Sequence, residues 1–265
     1  MKRKIPLILL CAVFLGIAGY FGFRLFAQWN EYRIGQKAYD ELTQYVHIDA
    51  LPATEALLPD KIPDDASPEE TVPQVTEPQT EWPVVDFTAL QQINPDIVAW
   101  IYIEGTDINY PVVQGPDNSY YLNRLFDGSF NGAGSIFMDY RNQGDLTDRH
   151  TVFYGHHMNN GSMFAQITKY KDQAFYDAHP TCLIMTPGGN YKLEFFAGYV
   201  TDMNAQAWKL QFASDEEYEQ WLSDAVARSN FVSTAEPSPQ DRVVTFSTCT
   251  YEYNDARYVL AGILK

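Results

Sequence analysis

Basic charge is scarce in this chain of 265 residues: 18 Lys and Arg stand against 34 Asp and Glu, a formal net charge of −16. Before Glu31 the only charged side chains are Lys2, Arg3, Lys4 and Arg24, so the remainder is more acidic still. A surface of that sign repels polyanions over long range and excludes a nucleic-acid partner. Cysteine is scarcer, with Cys11, Cys182 and Cys249 making up the whole set. No cysteine or histidine pair has zinc spacing, so neither a metal nor a cofactor is expected. Cys11 falls in an apolar run, which leaves Cys182 with Cys249 as the one internal disulfide to consider. Cys182, in Thr181-Cys-Leu-Ile-Met, reads instead as a packed small hydrophobe. The body shows no internal repeat.

The apolar run, Ile5 to Phe23, is uncharged and rich in Leu, Ile, Ala, Phe and Gly. It is long enough to cross a bilayer as a helix, and the basic start before it favours a cytoplasmic N-terminus with the body outside. A cleaved signal peptide begins in the same way. Its apolar core is usually shorter, however, and Leu25-Phe-Ala-Gln-Trp-Asn-Glu-Tyr offers no clear pair of small residues for cleavage. The expected organisation is a cytoplasmic tail at 1–4, a single-pass transmembrane signal anchor at 5–23 and a juxtamembrane helix at 24–50. The helix rests on the loose period of Tyr32, Gly35, Tyr39, Leu42 and Val46. Residues 51–83 are acidic and proline-rich and read as an extended stalk that holds the body off the membrane. Residues 84–265 form one domain, since a chain with 46% hydrophobic and 15% aromatic residues has the means to build a core.

Within that domain most segments are strand-like. Trp100 to Pro111 reads as two strands around a turn at Gly105, and Ser135–Met138, Thr151–Tyr154, Tyr191–Val200, Val243–Thr248 and Tyr258–Leu264 add more. Periodicity alone gives an antiparallel β-rich domain. One helix interrupts it near 214–229: Ser214 with Glu217 makes a capping box, and Tyr218, Trp221, Leu222, Ala225 and Val226 form an apolar stripe for packing on the sheet.

The chemistry gathers at strand ends. Arg242-Val-Val-Thr-Phe-Ser-Thr runs into Cys249, Arg257 opens the next apolar run, and Thr151-Val-Phe-Tyr-Gly runs into His156. A thiol near neutral pH is mostly protonated, so an imidazole beside it has a purpose. Arginine stays charged and offers a planar fork of donors to an oxyanion. Taken singly, a buried cysteine, a turn histidine and a solvated arginine are ordinary residues. His156 follows its strand directly, whereas His157 points the other way, His150 and His179 read as strand-start and loop residues, and His47 lies near the anchor.

The words around these residues decide between the two readings. Thr245-Phe-Ser-Thr-Cys249, with Arg257 beyond it, resembles the signature of sortases, the cysteine transpeptidases that attach proteins to the cell wall of Gram-positive bacteria. Tyr154-Gly-His156 with Asn160-Gly-Ser-Met-Phe164 resembles class B sortases in particular. So do Ile93-Asn-Pro-Asp-Ile-Val-Ala-Trp100, Asn109-Tyr-Pro-Val-Val-Gln-Gly115, Asp117-Asn-Ser-Tyr-Tyr-Leu122 and Gly134-Ser-Ile-Phe-Met-Asp-Tyr-Arg141. The resemblance covers roughly 84 to 265. Phe246 replaces the usual leucine, and Thr250 stands where some members carry an acid. The resemblance implies a mainly β fold, an eight-stranded sortase β-barrel with the inserted helix bordering the substrate groove. It also implies Cys249, His156 and Arg257 as catalytic residues and Asn118, Leu122 and Ser247 as substrate-binding residues. The implied partners are secreted proteins with a C-terminal sorting motif and a peptidoglycan precursor or crossbridge amine. Alternatives are a membrane-tethered cysteine peptidase, in which water takes the same thioester, and a non-enzymatic surface binding module.

Overall fold

The computed structural model describes residues 4–47 and 82–265, with side chains from Ala12 onward. A long helix, α1 (Lys4–Leu42), leads through a 3-10 turn at Thr43–Tyr45 into a short strand, β1 (Val46–His47). After residues 48–81, which lie outside the described residues and include most of the expected stalk, β2 (Val84–Val85) pairs with β1 in antiparallel register. Helix α2 (Phe87–Ile93) follows, capped by Asp86, whose carboxylate accepts from the Ala89 N–H.

The remaining strands are β3 (Ile97–Tyr102), β4 (Asn109–Val113), β5 (Ile136–Met138), β6 (His150–Tyr154), β7 (Thr181–Thr186), β8 (Gly189–Asp202), β9 (Arg242–Cys249) and β10 (Ala256–Leu264). They close into an eight-stranded barrel in the order β10-β8-β7-β3-β4-β5-β6-β9. The sheet is mixed rather than antiparallel throughout, because β4 with β5 and β6 with β9 run parallel. Both parallel pairs join strands separated by long connections, the only way a parallel neighbour can be reached. Gly105 makes the β3–β4 turn at φ 73°, and a Cβ there would lie 2.7 Å from the His179 ring. A short helix, α3 (Gln173–Ala178), precedes β7.

The inserted helix α4 (Asp215–Arg228) lies between β8 and β9 in sequence. Ser214 Oγ accepts from the Glu217 N–H at 3.3 Å, while the Glu217 carboxylate reaches back to the N–H of Ala213 rather than of Ser214 itself. Tyr218, Trp221, Leu222 and Ala225 are buried, whereas Val226, expected in the stripe, is exposed. They pack on the outer faces of β8 and β10 against Phe196, Tyr199, Val259, Ala261 and Ile263. The alternate residues Phe195, Tyr258 and Leu260 point inward, so the pleat of two strands serves both the interior and this outer layer. Phe246 stacks between Phe153 and Phe164 in the barrel interior, which is how the extra bulk is housed.

The N-terminal region departs from the expected organisation. Helix α1 runs unbroken through Arg24 and stops at Leu42, short of residue 50, and its last turns belong to the barrel. Tyr39, Leu42 and Val46 are buried in the barrel's core cluster. The Tyr39 hydroxyl donates to Gly134 O at 2.8 Å, its ring lies against Tyr110 and Phe126, and Glu31 accepts from the Gly132 N–H at 2.6 Å. Because β1 pairs with β2, the described chain leaves the fold before residues 48–81 and re-enters it after them on adjacent strands. Val13, Phe14, Leu15, Ile17, Tyr20, Phe21 and Phe23 are exposed along the helix. Among the described residues no helix is long and apolar enough to cross a membrane.

Candidate active site

Two neighbouring strands set the cysteine and the arginine side by side. Cys249 is the last residue of β9, Arg257 the second of β10, and the antiparallel register pairs them directly. β6 runs parallel to β9 on its other side, with Tyr154 opposite Ser247. The Gly155 N–H continues that ladder to Ser247 O at 3.1 Å, and the Thr248 hydroxyl donates to Gly155 O at 2.8 Å. Only glycine fits here: a Cβ on Gly155 would stand 2.4 Å from Ile136 and 2.7 Å from Phe164. His156 leaves the sheet at this point.

Cys249, His156 and Arg257 are each half-buried and line one groove of about 370 Å³. Asn118, Leu122 and Ser247 line it as well, so all six residues singled out in the sequence meet in one place. His156 Nε2 lies 2.6 Å from Leu122 O. A carbonyl can only accept, so Nε2 carries the hydrogen and Nδ1 is the nitrogen left for other chemistry. Leu122 therefore supplies a backbone carbonyl to the histidine in addition to the side chain expected at the groove. The Ser247 hydroxyl accepts from Trp208 Nε1 at 3.2 Å.

Phe137, Tyr154, Gly155, Met203, Trp208 and Thr248 complete the lining. Met203 and Trp208 escaped the sequence reading because they sit between the end of β8 and α4, where no periodicity marks a facing side. The position of Lys209 explains Trp208: buried His150 donates from Nδ1 to Lys209 O at 2.8 Å and accepts at Nε2 from the Thr245 hydroxyl at 2.8 Å, against the Trp221 ring. Burial pushes the His150 imidazole down to about 4, so it is neutral near pH 7. His150 opens β6, as the sequence suggested, and also clips the insert to the sheet.

The other histidines stay away from the groove. His157 lies against the Tyr251 ring, His179 donates from Nδ1 to Glu104 O at 2.8 Å, and His47 is in β1. Cys182 and Cys249 are both free thiols. Cys182 is fully buried, and burial pushes its thiol far above the ordinary range, which leaves it inert beside groove-lining Cys249. The acid missing at Thr250 is present two residues on. Burial opposes ionisation of Glu252, but hydrogen bonds from Lys171 and from the Thr250 hydroxyl outweigh it and hold the carboxyl at about 2. Among the described residues no cluster of His, Cys, Asp and Glu could hold a metal ion.

A thiol, an imidazole with a free nitrogen and a fixed guanidinium around one cleft can perform acyl transfer through a thioester. Comparison with known proteins points the same way. Residues 101–265 match the model of the Sortase domain. Sortase B of Listeria monocytogenes is 40% identical over 177 residues, 66% of this chain and 72% of that protein. A Staphylococcus aureus sortase B–substrate complex superimposes with a TM-score of 0.65 at 35% identity, covering 68% of this chain and 84% of that one. A sortase B solved with triglycine gives the same TM-score of 0.65 at 35% identity, covering 68% and 85%.

Proposed function

This chain belongs to the sortase family and is a cysteine transpeptidase of its class B; from that premise we propose which groups carry the reaction and where it runs. Cys249 passes its thiol proton to His156 Nδ1, and Sγ attacks a backbone carbonyl in the C-terminal sorting motif of a secreted protein. Electrons move onto the carbonyl oxygen, and Arg257 holds that oxyanion with its fork of N–H donors. The C–N bond then breaks, and His156 gives its proton to the departing amine, leaving a thioacyl-enzyme. An amine on a peptidoglycan precursor or crossbridge attacks the thioester, His156 takes up the amine's proton, and Cys249 is released. Nδ1 of His156 moves these protons, because Nε2–H is engaged by Leu122 O. Asn118, Leu122 and Ser247 contact the sorting peptide.

The pairing of Cys249 with Arg257 across one ladder, with His156 on the same groove, carries this assignment. The relatives' complexes with a substrate and with triglycine support a peptide donor and an amine acceptor. The reaction runs outside the cell, with the chain held by a single-pass anchor at 5–23 and its N-terminus in the cytoplasm. Support for that placement is the basic start and the uncharged apolar run.

The test is incubation with a small library of sorting-motif peptides plus amine acceptors, with products read by mass. Wild type should give amide-transfer products, Cys249→Ala none, and Cys182→Ala nearly the wild-type yield. Retained turnover in Cys249→Ala would falsify the nucleophile assignment.

A further inference from the structure

The hydrogen-bonding character of the groove is set from behind it. Asp139 follows β5, and its side chain has no exposure to solvent. Its Oδ1 accepts from the Arg141 backbone N–H at 3.0 Å and from Arg141 Nε at 2.8 Å. Its Oδ2 accepts from Arg141 Nη2 at 2.7 Å, Asn118 Nδ2 at 2.9 Å and the Tyr154 hydroxyl at 3.0 Å. Burial opposes the charge, but these donors outweigh it and hold Asp139 below the ordinary carboxylate range. Near neutral pH it is an acceptor only.

An acceptor-only partner fixes which way Asn118 points. Nδ2 must face the carboxylate, and Oδ1 accepts the Tyr140 backbone N–H at 3.0 Å. A reversed amide would set its oxygen against Asp139 and its NH2 against another N–H. One amide hydrogen of Asn118 remains without an assigned acceptor, and Asn118 lines the groove beside Leu122, Tyr154, His156 and Cys249. The Tyr154 hydroxyl is already engaged by Asp139, so toward the groove that residue offers its ring, packed on Phe137.

We propose that Asp139 is a positioning residue for the transfer reaction, locking Asn118 so that its remaining amide N–H is presented to a carbonyl oxygen of the bound peptide. It touches neither thiol nor substrate and acts through Asn118. The inference rests on the transpeptidase reading above.

The test uses the full-length chain in detergent and the sorting-motif peptide it turns over fastest. kcat and KM are measured for wild type, Asp139→Asn, Asn118→Ala and the double variant. One hydrogen bond to a peptide is worth about tenfold. Each single variant should therefore lose about tenfold in kcat/KM, mainly through KM, and the double variant no more than Asn118→Ala alone. The rate at which a methanethiosulfonate modifies Cys249 should be unchanged in all of them. Losses that multiply in the double variant, or wild-type kcat/KM in Asp139→Asn, overturn the proposal. Should Asp139→Asn fail to fold, the exchange variant Asn118→Asp with Asp139→Asn decides. It restores an amide facing a carboxylate but leaves no donor toward the groove. Folded protein about tenfold down in kcat/KM supports the proposal, and wild-type turnover overturns it. A wild-type chain that turns over no peptide at all would remove the transpeptidase reading itself, a result distinct from these.

Discussion

Arg257 stands opposite Cys249 in the ladder, half-buried at the groove, with Nη1 donating to Ala256 O at 3.0 Å. A donor held in this way stabilises an oxyanion by geometry as well as by charge, and loss of one such donor costs about a hundred- to a thousandfold in rate. Lysine keeps the charge but loses the planar fork. Arg257→Lys should stay folded by circular dichroism yet lose most transfer activity, and Arg257→Ala at least as much. If Arg257→Lys runs at the wild-type rate, charge alone suffices; if Arg257→Ala does so too, the oxyanion is stabilised elsewhere. The place of this residue at the groove was legible in sequence, as were those of Cys249 and His156, because Cys249 and His156 end apolar runs within recognisable words and Arg257 opens the next run. Leu122 was legible as a groove residue, but not the use of its carbonyl, since a backbone atom leaves no trace in residue type. Asp139 lay inside one of the words, yet its partners Asn118 and Tyr154 come from separate segments that only the barrel brings together.

At the level of elements, the insert helix was readable because capping and a helical stripe are local signals. Its attachment was not. His150, neutral in the fold at about 4 against 6.5 for a free imidazole, clips the insert to β9 through Lys209 O and Thr245. Asp139 and Asp148 pull its proton affinity the other way, and burial prevails. Between pH 6.5 and 4 the unfolded chain binds the proton and the fold does not, so stability rises with pH across that window. His150's contribution is complete above about 6.5 and gone below about 4, on the order of 3 kcal/mol in all. Urea unfolding at a series of pH values should show this slope in wild type and not in His150→Gln, whose amide can serve both partners without titrating. Equal slopes would show that another group governs the acid limb.

The joint between α1 and the barrel leads to a second expectation about elements. With β1 paired to β2 and Tyr39 seated against Tyr110 and Phe126, a protease cut within 51–81 should leave two fragments that co-purify as an active complex. Fragments that separate without denaturant would show the joint to be weak. Deleting residues 1–83 outright strips Tyr39, Leu42 and Val46 from the core, each worth about 1.5–3 kcal/mol. Thermal unfolding of that truncation should occur well below the midpoint of the full chain. The sequence suggested a helix here from its period, but the same period suits a free juxtamembrane helix, and only burial tells the two apart.

Across the whole molecule, strand existence was legible from short apolar runs, whereas strand neighbours were not. The parallel pairs β4–β5 and β6–β9 bring together segments far apart in the chain, and no local pattern records such a pairing. Those pairs matter to function, since β6 beside β9 is what carries His156 to the groove of Cys249. The central claim is that this groove holds an acyl group on Cys249 between two attacks. The most direct measurement mixes the full-length chain with a sorting-motif peptide in the absence of any amine acceptor, quenches in acid and maps the adduct by mass spectrometry. The account expects a mass increase equal to the N-terminal part of the cleaved peptide, located on Cys249 and discharged when an amine is added. An adduct on Cys182, or peptide consumed with no acyl-enzyme while Cys249→Ala is equally active, would contradict it.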